Sequence, residues 1–321
     1  EDLYNTYFIN VILLPIISLI ATIILTPLIG KFNKEHGLFG IDLHKIERFE
    51  IPEAGGIAIL LGTIPIFILY FLITYDLTIL MFILPVTIIG VVGFIDDVYN
   101  IPQSIKTLAC LLGGIPLLFF VKNSSLNFIL FKVDIKNLFY LAIPIGITAA
   151  SNLTNILAGF NGEEVGLGFI SSLSLSICIF LMGDIKTSIY LLTFTMAFLA
   201  FLMYNKYPAK IFPGDTGTLI VGAVIASFSI IKKIEIIGVI LLLPQILEFL
   251  FKSIRRFGNK KYGPTRVDKE GILHPQNFIS VANLLTSHLK LTEKKLVLLI
   301  WVIGAFFGAM AIILTYFSIL T

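Results

Sequence analysis

Long apolar runs broken by short polar junctions dominate the chain. A membrane-spanning helix needs about 20 mostly apolar residues. About ten runs of that kind are centred near residues 17, 63, 86, 113, 147, 173, 196, 224, 244 and 307. The pattern predicts an all-α polytopic membrane protein, with residues 1–321 as a single transmembrane domain and no room for a separate soluble one. The first run, from about Tyr7 to Leu28, follows Glu1 and Asp2 rather than a basic stretch. It shows no small-residue cleavage site and reads as a retained helix. The longest polar junction, about 252–295, carries Arg255, Arg256, Lys260, Lys261, Arg266 and Lys269. Within it Phe278, Ile279, Ala282, Leu285 and Leu289 recur at roughly helical spacing, which predicts an amphipathic helix in the interface.

Composition agrees with the pattern: 57% hydrophobic residues, 13% charged residues and a mean hydropathy of +0.97 lie outside the soluble globular range. A net charge of only +3 gives no reason to invoke nucleic acid. Cys110 and Cys178 both sit inside apolar runs and do not suggest a metal site or a disulfide framework. The placement of charge says more than its sum. With ten spans, 17 of the 23 Lys and Arg residues fall on one side and six on the other. The positive-inside rule makes the richer side cytoplasmic and places both termini outside.

The carboxylates map the candidate chemistry, because an ionisable residue near the bilayer is costly unless it is paired or used. Asp96, Asp97, Glu163, Glu164 and Asp215 all fall at junctions on the cytoplasmic side. In GFIDDVYN, residues 93–100, two adjacent aspartates require a cation, a proton or a basic partner, and Lys106 is positioned to be that partner. In SNLTNILAGFNG, residues 151–162, Asn152 and Asn155 are spaced to share a helix face, and Asn161 follows in a Gly-flanked turn. In YNKYPAKIFPGDTGT, residues 204–218, Asp215 stands between glycines that permit close approach of a phosphate. Helix capping and interhelical packing are the competing structural readings of these polar groups. Mg²⁺ commonly takes one or two protein oxygens, with phosphate and water supplying the rest, and Asn155 with Asp215 would suffice.

These blocks resemble the polyprenyl-phosphate N-acetylhexosamine-1-phosphate transferase family. The match covers most of the chain through DLHK (42–45), IPEAGG (51–56), GFIDD, NILAGFNG, YNKYP, FPGDTGT and PQILEFL (244–250). The wording is closest to the eukaryotic and archaeal branch that makes N-acetylglucosaminyl-diphospho-dolichol. The resemblance implies a cytoplasmic-face active site with Mg²⁺ (Mn²⁺ as a substitute) on Asn155 and Asp215, and with Asp96, Asp97 and Lys106 around the reacting phosphates. It also implies Phe212 stacked on uracil, and Leu43, Glu53, Asn152 and Asn161 at the nucleotide and sugar pocket. Arg266 is the candidate for the family's arginine on the diphosphate or the N-acetyl sugar.

The implied substrates are a UDP-sugar, UDP-N-acetylglucosamine by branch, and a polyprenyl or dolichyl phosphate, within a bilayer and with a homodimer as a candidate assembly. The product would be the lipid-linked sugar that starts N-glycan assembly. The membrane would be the plasma membrane in a prokaryote or the endoplasmic reticulum in a eukaryote. The bacterial cell-wall branch carries a DGLDGL-type block and a histidine triplet, both missing here, which weighs against a peptidoglycan substrate. The eukaryotic branch has a histidine between arginines where this chain reads KYGPTRVD (261–268). Two alternatives follow: the same chemistry with another UDP-N-acetylhexosamine, and an ion-coupled transporter with midplane carboxylates. Clustering of the carboxylates at one face and the lack of matching halves disfavour the transporter.

Overall fold

The computed structural model describes residues 2–42, 44–45, 49–121, 125–127, 132–157, 159–257, 266–275 and 280–320. Among them, nine helices are long and apolar enough to cross a membrane, and one further apolar pair of helices is sharply bent. The chain opens with α1 (Asp2–Glu35), and a hairpin of β1 (Phe39–Ile41) and β2 (Glu50–Pro52) leads into α2 (Ile57–Thr74), α3 (Thr78–Tyr99) and α4 (Gln103–Phe120). A second hairpin, β3 (Ser125–Asn127) with β4 (Lys132–Asp134), precedes α5 (Leu138–Leu157), α6 (Glu163–Leu181), α7 (Ile185–Asn205) and α8 (Gly214–Ile231). The bent pair is α9 (Glu235–Leu241) with α10 (Leu243–Phe257), at 65° to one another. Pro244 explains the bend, since it has no N–H to continue the ladder from α9. After β5 (Arg266–Val267) and β6 (Leu273–His274), the short α11 (Val281–His288) leads into α12 (Glu293–Leu320).

The sequence thus builds an all-α integral membrane protein whose short hairpins lie between spans. Strands of two or three residues carry no periodicity and were not legible beforehand.

Helix α8 lies at the centre: 83% of it is buried, against 28% of the most apolar window of α1. The central helix is also the less apolar, with mean hydropathy 1.6 against 2.6. Lipid demands an apolar outer surface, whereas packed helices need small residues that let backbones approach. Gly56 of the α2 entry meets Gly217, where an added Cβ would lie 2.1 Å from the Gly217 nitrogen. Gly93 of α3 lies against the Thr216 backbone, and Gly222 of α8 lies against the Ala150 carbonyl of α5. These close approaches draw α2, α3, α5 and α8 together, so the polar junctions between them converge.

The expected amphipathic helix is α11, capped by the Ser280 side chain on the Asn283 N–H. Its Ala282 and Leu285 pack with Leu157, Leu273, Leu296 and Ile300. That face is therefore covered by protein rather than laid on lipid. Asn277, Phe278 and Ile279 of the predicted helix lie outside the described residues.

Candidate active site

Adjacent positions on a helix point about 100° apart, and the two aspartates near the end of α3 divide accordingly. Asp96, 9% exposed, accepts the Ile101 N–H at 2.8 Å and pairs with Lys106 of α4 at 2.8 Å. Asp97 turns instead to the start of α8. It accepts the N–H groups of Asp215 at 2.6 Å and Thr216 at 3.0 Å, and also the Thr216 hydroxyl. The first N–H groups of a helix have no partner within it, so α3 caps α8 from outside. Position 214 must be glycine for this: its φ is +64°, and a Cβ there would come within 2.5 Å of the Asp97 carboxylate.

Lys106 also binds Asp215, so its ammonium is shared by two carboxylates. The lysine is 5% exposed, and burial of one cation with two flanking anions is tolerable only because the geometry pairs them. Of the adjacent aspartates for which Lys106 was the expected partner, it pairs with Asp96 and not Asp97, and Asp215 joins the same cluster.

Asp215 and Asn155 face one cavity of about 250 Å³, together with Glu53, Asn161 and Phe212. Asn155 is placed by α5 packing on α8: Thr154 donates its hydroxyl to the Thr218 carbonyl at 2.8 Å, and the Asn155 amide oxygen accepts from the Thr218 hydroxyl at 3.2 Å. Phe212 is held by its neighbours' backbone, donating to Pro52 O at 2.8 Å while its own carbonyl accepts from Gly55 at 2.9 Å. Asn161 donates its side-chain amide to Asp42 at 3.0 Å and its N–H to Glu293 at 2.8 Å. Burial raises the Glu53 carboxyl above the ordinary glutamate value, and the charge of Asp215 adds to the effect. Burial pushes Asp42 the same way, but hydrogen bonds from Lys45 and Asn161 outweigh it and hold that carboxyl low.

Not every expected residue joins this cavity. Asn152 lies one turn from Asn155 but faces α4, accepting from Gln103 at 3.1 Å and donating to the Thr148 carbonyl at 2.8 Å. A three-residue step leaves about 60° between side chains, enough to give the two asparagines different neighbours. Arg266 is exposed on β5, opposite His274 in the hairpin register, and does not line the cavity. Leu43 falls outside the described residues, as do 258–265 of the basic loop.

The cavity also recruits Glu164, one of the junction carboxylates, and residues that were not singled out: Asp42, His44, Phe160, Asn205 and Thr218. His44 stacks on Phe160 with ring centroids 4.4 Å apart, and Asn205 donates to the Ile211 carbonyl at 2.9 Å, closing the turn before Phe212. Several of them stand inside the recognised blocks, so position in a block was the available signal. Among the described residues no three His, Cys, Asp or Glu side chains form a metal cage. Asp215 and Asn155, a carboxylate and an amide facing the same cavity, would fit the sparse protein ligation of Mg²⁺ rather than that of a closed structural site.

Comparison with known proteins gives this geometry a lineage. The sequence model of glycosyl transferase family 4 matches residues 79–233, from α3 to just beyond α8. A provisionally named glycosyltransferase of Methanocaldococcus jannaschii is 33% identical over 96% of this chain and 98% of its own length. The chain belongs to glycosyl transferase family 4. Other relatives of this family 4 enzyme are named more narrowly. A Sulfolobus acidocaldarius protein, provisionally named UDP-N-acetylglucosamine–dolichyl-phosphate N-acetylglucosaminephosphotransferase, is 31% identical over 95% of this chain and 96% of that one. A phospho-N-acetylmuramoyl-pentapeptide-transferase of Staphylococcus carnosus is 27% identical over 92% and 95%.

Because both Asp97 oxygens are engaged by the start of α8, Asp97→Asn is expected to disturb position rather than proton transfer. The prediction is a stability loss of about 1 kcal/mol and reduced turnover, with the pH profile of the rate unshifted. Rates across pH and thermal unfolding of the detergent-solubilised protein check it.

Proposed function

We propose that the chain moves N-acetylglucosamine-1-phosphate from UDP-N-acetylglucosamine to a polyprenyl phosphate of the dolichyl type, releasing UMP and supplying the lipid-linked sugar that begins N-glycan assembly. The observation that carries this is the meeting of Asn155, Asp215, Phe212, Glu53 and Asn161 at one cavity, from segments far apart in the sequence. The name of the Sulfolobus acidocaldarius relative supports the same donor and acceptor.

In this reading an oxygen of the lipid phosphate attacks the sugar-bearing phosphorus of the donor. The bond from that phosphorus to the bridging oxygen breaks, UMP leaves, and the anomeric bond is untouched. A phosphate monoester loses its second proton near pH 6, roughly, so the acceptor is already nucleophilic at neutral pH. Phosphoryl transfer then depends mainly on positioning and charge neutralisation. Asn155 and Asp215 would hold Mg²⁺, which when bound supplies neutralisation of diphosphate charge. Lys106 fixes Asp215 against Asp96, Asp97 fixes the backbone beneath Asp215, and Phe212 presents a ring face to the base.

For the lipid tail, a second cavity of about 170 Å³ between α5, α8 and α9 offers an apolar wall that includes Phe139, Ile143, Ile225 and Val239. Gly146 lines it, and a Cβ there would meet only Ile230 at 3.9 Å, so a large side chain would project into the space. Gly146→Trp is expected to raise the KM for polyprenyl phosphate about tenfold or more, as lost apolar burial, and to leave the KM for the UDP-sugar unchanged. The assignment of donor is tested with a panel of UDP-N-acetylglucosamine, UDP-N-acetylgalactosamine and UDP-glucose. UMP release fastest with the first is expected; preference for another donor would reassign the sugar within the same chemistry.

A further inference from the structure

Glu164 stands in the first turn of α6 and lines the same cavity as Asn155 and Asp215, yet the reaction as described does not use it. It is 2% exposed. Its Oε1 accepts from Gln245 Nε2 of α10 at 3.2 Å, while its Oε2 finds no hydrogen-bond partner among the described residues. The same is true of the Gln245 carbonyl oxygen on a side chain that is 0% exposed. Gln245 turns its nitrogen toward Glu164, whose Oε1 accepts, and leaves its own oxygen unmatched.

The neighbouring acid behaves differently. Glu163 spends its Oε2 on the N–H groups of Gly159 and Phe160, each at 3.1 Å, and so holds the turn before α6. Glu164 has no comparable structural use for its second oxygen. Leaving a buried carboxylate oxygen unmatched is costly, and native structures seldom do it without a purpose.

We infer that Glu164 is a further binding residue for the nucleotide-sugar, its unmatched oxygen accepting a hydrogen bond from an N–H or O–H group of the bound donor while Gln245 steadies the carboxylate. This rests on reading the cavity as the nucleotide-sugar site. The chemistry limits which part of the ligand can lie there. A phosphate oxygen would face two acceptors and be repelled, so Glu164 meets the uridine or the sugar. Uridine offers an imide N–H and ribose hydroxyls; the N-acetyl sugar offers hydroxyls and an amide N–H.

The test is calorimetric binding of UMP and of UDP-N-acetylglucosamine, with Mg²⁺, to the full-length protein and to Glu164→Gln and Glu164→Leu, with thermal unfolding of each protein alone. Loss of a buried hydrogen bond predicts about a tenfold weaker Kd for Glu164→Gln and a larger loss for Glu164→Leu. The ligand-free Glu164→Gln protein is expected to melt no lower than the parent, since the oxygen at that position has no hydrogen-bond partner to lose among the described residues. Weakening shared by both ligands places the contact on the uridine; weakening of UDP-N-acetylglucosamine alone places it on the sugar. Parental affinity in both variants overturns the inference, and a lower melting point with parental affinity makes Glu164 purely structural. Failure of the parent protein to bind either ligand overturns the reading of the cavity, and this inference with it.

Discussion

Alanine at position 215 is expected to lower turnover at least about a hundredfold, the scale of losing a metal-site group or a main stabiliser of transition-state charge. Asp215 is the carboxylate of the proposed metal pair, it faces the cavity beside Asn155, and it is one of two anions on Lys106. The substitution should leave the local fold in place, because Asp97 grips the backbone N–H of residue 215 rather than its side chain, and alanine keeps that N–H. Initial rates over a Mg²⁺ titration, alongside the melting temperature, measure the effect. A folded variant with a rate within a few-fold of the parent would remove Asp215 from the reaction.

The second large effect is expected at Lys106. Lys106→Met keeps length and apolar stem but leaves Asp96 and Asp215 facing each other without a cation. Breaking a buried pair by removing one partner typically costs about 3–5 kcal/mol, through the uncompensated charge left behind. The variant should therefore melt well below the parent and turn over little. Adding Asp96→Asn removes one of the stranded charges and should recover part of the stability without recovering turnover, because Asp215 still lacks its cation. Recovery of both would mean that Lys106 serves the fold alone.

The two effects rest on features that were unequally legible in the sequence. The ten apolar segments could be read from length and hydropathy, because lipid imposes one requirement on every span. The break between α9 and α10 could not, since an apolar run with a proline reads the same whether it is straight or bent by 65°. The meeting of Asp215 with Asn155 was anticipated by chemistry and resemblance, whereas the shared Lys106 needed three dimensions. Helix phase decided the rest. Asp96 and Asp97 are neighbours in sequence yet face Lys106 and the start of α8 respectively, and Asn152 parts from Asn155 by a 60° turn. Glu164 was noted as a carboxylate at a junction, but its unmatched oxygen depends on Gln245, which only the fold of α10 against α6 brings near.

In the proposed reaction a phosphosugar, rather than a bare sugar, moves to the lipid. This transfer is tested most directly with UDP-N-acetylglucosamine carrying ³²P in the sugar-bearing phosphate, incubated with purified protein, dolichyl phosphate and Mg²⁺, and separated into lipid and aqueous phases. The expected result is ³²P in the lipid phase, unlabelled UMP in the aqueous phase, and loss of both on adding EDTA. Label recovered in released UDP, with sugar alone on the lipid, would contradict it.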